Sequence, residues 1–307
     1  MTKIVEDKLA TIPILSSLVV FGKKIKIPGL HGLSLYDVLE MYIIGIVRGA
    51  LTARAGGIAF SFFMALFPFL LFILTLIPFV PIEGFQVDFI KTIESLLPPN
   101  TGGVVSSVIS DIANNRYGGL LSFGFVASIF LMTNGVNAVL GAFEYSYHIK
   151  EMRNIIKQYM VSMAMALILS AILISSIAIN VYFAIGIHDL TEKGWVQNEG
   201  FWVKIGGGIF FLVLILVSVS FLYKYGTKKS KDFTYLPGAI LTTLLTIVMF
   251  RLFAIYVVKF STYNELYGSI GTLLVLMLFV WLNSIILLLG FELNASINRL
   301  KDLHIKN

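Results

Sequence analysis

A guanidinium in the middle of an apolar run is the most demanding group in this sequence. Arg251 follows Thr246, Ile247, Val248, Met249 and Phe250 and precedes Leu252, Phe253, Ala254 and Ile255. Charges in hydrocarbon are costly and usually face a bundle interior or a watery cavity, where they find partners. No other apolar run offers a carboxylate at the depth expected for Arg251. Its side chain must bond carbonyls, Asn or hydroxyl groups, snorkel toward Lys259, or meet an anion from outside the protein. A guanidinium grips phosphate through paired hydrogen bonds, so one reading is a lipid phosphate. The other is a snorkelling structural Arg.

A second set of polar groups gathers where several apolar runs meet one membrane surface. Arg54 opens the first run, Asn134, Asn137 and Glu144 lie toward the inner end of the second, and Glu292 and Asn294 lie toward the inner end of the last. Opposite charges at one depth suggest an ion pair of Arg54 with Glu292 or with Glu144, acting as a gate or as a brace. Asn283 lies nearer mid-membrane. Arg251, Arg54, Asn283 and Asn137 are the candidate substrate-binding residues, and Glu292, Arg54 and Glu144 the candidate gating or ion-pair residues. Pro68 removes a backbone hydrogen bond inside the first run and is a candidate hinge. The glycines of Gly56-Gly57 and Gly206-Gly207-Gly208 permit close helix packing.

These groups must be carried by membrane-spanning elements. The 307 residues are 57% hydrophobic and 13% charged, more apolar surface than a soluble domain of this length buries. Spans of roughly 20 apolar residues are expected at 57–80, 120–141, 160–187, 203–223, 236–258 and 268–297. Of 23 Lys and Arg, 17 fall before the first span, in 142–159, in 224–235 or at the C-terminus; five fall on the other side, and Arg251 is the remainder. Cytoplasmic loops retain Lys and Arg, so both termini are expected inside. The net charge of +6 is thereby explained by topology and anionic headgroups, without nucleic acid.

The sequence thus reads as an all-α polytopic membrane protein with six spans and additional interfacial helices. Residues 1–33 form a cytoplasmic segment, 34–300 a single membrane domain, and 301–307 a cytoplasmic tail. Ser34 and Asp37 have capping-box spacing. Leu35, Val38, Leu39, Tyr42, Ile43 and Ile46 then predict an amphipathic helix on the inner leaflet. Within the external connection at 81–119, Phe85, Phe89, Ile90, Ile93 and Leu97, then Val104, Val105, Val108, Ile109 and Ile112, predict two more. Cysteine is absent, the four His are scattered, and no phosphate-binding Gly-rich loop occurs, so no metal or cofactor is expected.

Two stretches resemble a known family. Arg54-Ala55-Gly56-Gly57-Ile58-Ala59-Phe60 continuing to Leu66-Phe67-Pro68, and Tyr263, Tyr267-Gly268-Ser269-Ile270-Gly271 through Gly290-Phe291-Glu292-Leu293-Asn294, are similar to the YihY/BrkB family of bacterial inner-membrane proteins. Leu236-Pro237-Gly238 fits as well, whereas Phe143-Glu144-Tyr145 departs from that family's pattern. The resemblance implies a six-span inner-membrane protein. It also implies a historical ribonuclease label and, for some members, export of lipid A precursors or phospholipids. Metal-assisted RNA cleavage needs clustered Asp, Glu or His outside the bilayer, and the loops carry no such spacing. The expected function is therefore a non-enzymatic transporter or flippase-like protein for anionic lipid in envelope biogenesis, with membrane lipids and envelope-assembly proteins as partners. The alternatives are a non-transporting scaffold for envelope assembly and, behind it, an intramembrane enzyme or ribonuclease.

Overall fold

The computed structural model describes residues 24–26, 34–76, 87, 91, 120–228, 233–259 and 269–305. The two external helices expected within 81–119 and most of the N-terminal segment lie outside the described residues. The helices are α1 (Leu35–Arg48), α2 (Leu51–Leu76), α3 (Leu120–Glu144), α4 (Ile155–Glu192), α5 (Glu199–Tyr225), α6 (Leu236–Lys259) and α7 (Ser269–Ile305). Among the described residues the only β pairing is an isolated bridge between Lys26 and Ser34. The last helix runs through position 300, so the expected tail continues it as far as Ile305.

Consecutive helices alternate in direction and pack in chain order from α2 to α7, and α7 closes the ring on α2. Helices α4 to α7 are each long and apolar enough to cross a membrane, and a fifth crossing results if α1 and α2 count as one bent span. At about 1.5 Å per residue, the 38 residues of α4 and 37 of α7 exceed the thickness of a hydrocarbon core. Both therefore project beyond it. The described residues form an all-helical, multi-pass membrane protein.

Helix α1 begins as its spacing predicts. The Ser34 Oγ accepts from the Asp37 backbone N at 3.2 Å, and Asp37 Oδ2 accepts from Ser34 N at 2.9 Å. Its apolar surface, however, divides in two. Val38 packs with Ile297 and Leu300 of α7, whereas Leu39, Ile43 and Val47 point outward. The cause is a 64° bend between α1 and α2. The chain turns at Gly49 and Ala50, and Ala50 takes a left-handed φ of 46°, a conformation that costs an L-residue roughly 1–2 kcal/mol. The bend lays α1 across the end of α7.

The main core lies at the end of the ring where α2, α4 and α6 begin and α3 and α5 finish. Phe143 of α3 stacks on Phe291 of α7, with centroids 4.1 Å apart. Tyr223 of α5 is fully buried beside them, and its hydroxyl donates to Leu287 O at 2.6 Å while also bonding Thr242 Oγ1 of α6. Helices α6 and α7 meet here backbone to backbone. A Cβ built on Gly290 would lie 2.5 Å from Gly238 O and 2.7 Å from Tyr223 Oη, and would collide with Thr242 Oγ1. Gly56 and Gly57, in contrast, have open space around any added Cβ.

Gly290→Ala should therefore destabilise the protein by about 1–3 kcal/mol, the usual penalty for overpacking. Gly57→Ala should be nearly neutral. Equal midpoints for both variants in detergent thermal unfolding would contradict the close approach.

Candidate functional site

Four elements converge at this end of the ring on a buried carboxylate. Glu292, on α7, has no solvent exposure. Arg54, near the start of α2, forms an ion pair with it through Nη2, and its Nη1 donates to Ala142 O of α3 at 2.8 Å. The second carboxylate oxygen accepts from Ser146 Oγ at 2.9 Å. The α1–α2 bend presses against the pair. A Cβ on Gly49 would lie 2.9 Å from Arg54 Nη2, and one on Gly45 would lie 2.8 Å from Glu292 Oε2. A side chain at either position would require these charged groups to shift.

Ser146 and His148 belong to the connection between α3 and α4. The His148 backbone N–H donates to Ser146 Oγ at 3.4 Å, and its ring Nε2 lies 3.1 Å from Met41 O of α1. Burial pushes the imidazole below its ordinary value of 6.5; the Glu292 carboxylate pulls the other way, and Arg299 adds to the lowering. The Ser146 hydroxyl gives its proton to Glu292 rather than to His148, so the two do not form a nucleophile–base pair.

A second ion pair lies alongside. Glu144 is buried at the end of α3 and meets Arg153, whose backbone N donates to Glu144 Oε2 at 3.2 Å and whose Nη1 stands 3.6 Å from Oε1. The same guanidinium caps the end of α5, donating to Tyr225 O at 2.8 Å, Gly226 O at 2.9 Å and Thr227 O. A cation here satisfies the last carbonyls of α5 and opposes its dipole. On the far side of α7, Asn294 accepts from Gly238 N at 2.7 Å and donates to Tyr235 O at 2.8 Å. Asn298 bonds both backbone groups of Thr234. These two side chains hold the start of α6 to α7.

The residues singled out from sequence thus have separate surroundings. Arg54 meets Glu292, and Glu144 meets Arg153. Asn137 accepts from Ser162 Oγ of α4 at 3.2 Å. Asn283 donates to Phe279 O of its own helix at 2.9 Å. Pro68 sits within an α2 that continues past it to Leu76. Arg251 is exposed on the outer surface of α6 beside Val248, Leu252 and Ile255, and no described residue pairs with it. Ser146, His148 and Arg153 escaped sequence reasoning because they lie in a short connection with no periodicity. Their clustering within nine residues of Glu144 was the only signal.

The model of the virulence factor BrkB family matches residues 45–306. The chain belongs to that family. Among its relatives is the ribonuclease-like protein YfkH of Bacillus subtilis (strain 168), 32% identical over 259 residues that cover 83% of this chain and 93% of the relative. A UPF0761 membrane protein of Coxiella burnetii is 25% identical over 248 residues, 77% of this chain and 84% of its own. One from Pseudoalteromonas translucida is 26% identical over 266 residues, 84% of each chain. No solved structure matches the chain. In this BrkB family member the matched region takes in Arg54, Ser146, His148 and Glu292.

Glu292→Gln leaves the Arg54 guanidinium buried without its counter-charge and should cost about 3–5 kcal/mol of stability. The double substitution Arg54→Met, Glu292→Leu should recover most of it, as read by unfolding in detergent; a double variant as unstable as the single one would refute the pairing. His148 supplies a separate test. Its folded-state value lies below the unfolded one, so its contribution is complete above the ordinary 6.5 and is lost as pH falls through the lowered value. Unfolding midpoints measured between about pH 8 and pH 5 should drop on the acid side, and His148→Gln should flatten that drop.

Proposed function

We propose that this BrkB family membrane protein is an inner-membrane transporter or flippase-like protein that handles phospholipid or another anionic lipid in envelope biogenesis. The observation that carries this reading is the position of Arg251. A guanidinium on the outward apolar surface of α6, with no described partner, leaves an anion from the surrounding lipid as its natural complement. Lys259 lies eight residues further along the helix, about 12 Å toward the end of α6. A phosphate held by Arg251 could pass from there to the headgroup level.

In this reading the chain makes six crossings with both termini in the cytoplasm. Arg48, Lys150, Arg153, Lys157, Lys224, Lys228, Arg299 and Lys301 lie at the end that carries Glu292; the opposite end carries Lys193, Lys204 and Lys259, together with Asp189, Glu192 and Glu199. That distribution supports the assignment. The Arg54–Glu292 pair then serves as the latch of the cytoplasmic side. Arg54 reaches a lipid phosphate only if Glu292 releases it. No step here requires the bond chemistry of an enzyme, and the ribonuclease in the name of the Bacillus relative belongs to that protein.

Reconstitution with fluorescent phosphatidylglycerol tests the reading. Wild type should move lipid between leaflets faster than protein-free vesicles, Arg251→Ala should slow it by roughly tenfold, the loss expected for one charge-assisted contact, and Arg251→Lys should retain part of the rate. Equal rates for wild type, Arg251→Ala and empty vesicles would overturn transport. A scaffold that only positions envelope-assembly proteins gives that outcome while its function in cells survives Arg251→Ala.

A further inference from the structure

Apart from Arg251 and the Arg54–Glu292 latch, a cleft of about 490 Å³ opens at the charged end of the ring. Described residues of three regions form it: the connection between α3 and α4, Thr227, Lys228 and Phe233 after α5, and the last turns of α7. Among the described residues each supplies one cation, namely Lys150, Lys228 and Arg299, and buried His148 closes one side. The floor is apolar, with Ile149, Phe233 and Ala295. Thr227 also lines the cleft. It is 1% exposed, and its hydroxyl has no hydrogen-bond partner among the described residues.

We infer that this cleft is a binding site for a phosphate ester, with Arg299, Lys228 and Lys150 neutralising the phosphate, the Thr227 hydroxyl donating to it, and the apolar floor receiving the esterified alcohol. Two carboxylates also line the cleft, Glu151 and Asp302. Among the described lining residues they leave three cations against two anions. Glu151 holds Lys228 at 3.1 Å, but both side chains are more than half exposed. Such a pair contributes little and yields readily to a better anion. Burial of the Thr227 hydroxyl without a partner carries a cost that a ligand oxygen would remove. The guanidinium offers two parallel donors, and the two ammonium groups add mobile charge around them. A carboxylate ligand would use the cations equally, but the three separate donors suit the several oxygens of a phosphate.

The ester can come from a lipid headgroup of the adjoining leaflet or from a soluble metabolite, and the shared chemistry is the phosphate ester. The whole protein in detergent is titrated by calorimetry with dihexanoyl phosphatidylglycerol, dihexanoyl phosphatidylcholine and glycerol 3-phosphate. Saturable binding of the phosphatidylglycerol, stronger than of the phosphatidylcholine, identifies a lipid source. Binding of glycerol 3-phosphate alone identifies a soluble one. In either case Arg299→Ala should weaken binding by roughly tenfold, Thr227→Val should weaken it several-fold, and the exposed Lys228→Gln provides a variant whose folding is undisturbed. The inference is overturned if none of the three probes binds, or if binding is unchanged in both Lys228→Gln and Arg299→Ala. Liposomes that fail to transport lipid while calorimetry still shows the cleft occupied would end the transport reading and leave this site standing.

Discussion

The buried ion pair between Arg54 and Glu292 is the constraint to which the surrounding structure answers. A carboxylate with no exposure and a guanidinium at 8% are tolerable only when each is closely surrounded by partners. That requirement draws in Ala142 O from α3 and Ser146 from the following connection. It also explains the missing side chains at Gly45 and Gly49, because any Cβ there would push the pair apart. The bend between α1 and α2, with Ala50 in a left-handed conformation, is the backbone strain that brings those glycines into place.

Around that pair the charged end of the ring is built from polar contacts between helix ends. Arg153 joins the end of α3 to the end of α5, Asn294 and Asn298 join α7 to the start of α6, and Tyr223 ties α5 to both. Helix termini leave backbone groups unsatisfied, and in a membrane protein these must find side chains or headgroups. Here side chains meet many of them. Toward the opposite end the described packing is simpler: Phe253, Val257 and Phe279 pack α6 on α7, while α5 shows mostly apolar surface outward. Among the described residues the polar contacts between helices are thus concentrated at one end, where the cleft also opens.

Much of the architecture was legible in the residues alone. The apolar runs mark the helices because no other backbone arrangement satisfies its own hydrogen bonds in hydrocarbon except a closed barrel. The capping box at Ser34 and Asp37 was legible because it uses residues three apart on one chain. The two-sided α1 was not, since its division follows from the bend and the contact with α7. Glu292 and Arg54 stood out as charges at one depth, but Glu144 was equally placed in sequence. Both α3 and α7 flank α2 in the ring, so the choice between them depended on the rotation of each helix, which turns Glu292 toward Arg54 and Glu144 toward Arg153.

Arg251 illustrates the same boundary. Sequence placed it by depth along α6, since rise per residue is a property of the helix itself. It could not place it around the helix, because α4, α5 and α6 are apolar on nearly every side and their periodicity names no inward face. Hydrophobicity and charge along the chain determined that this is a helical membrane protein with a basic end and a few costly polar groups. Tertiary packing alone decided which of those groups are paired, which one faces outward, and where a cleft remains, because each depends on the rotation and neighbours of whole helices rather than on local spacing.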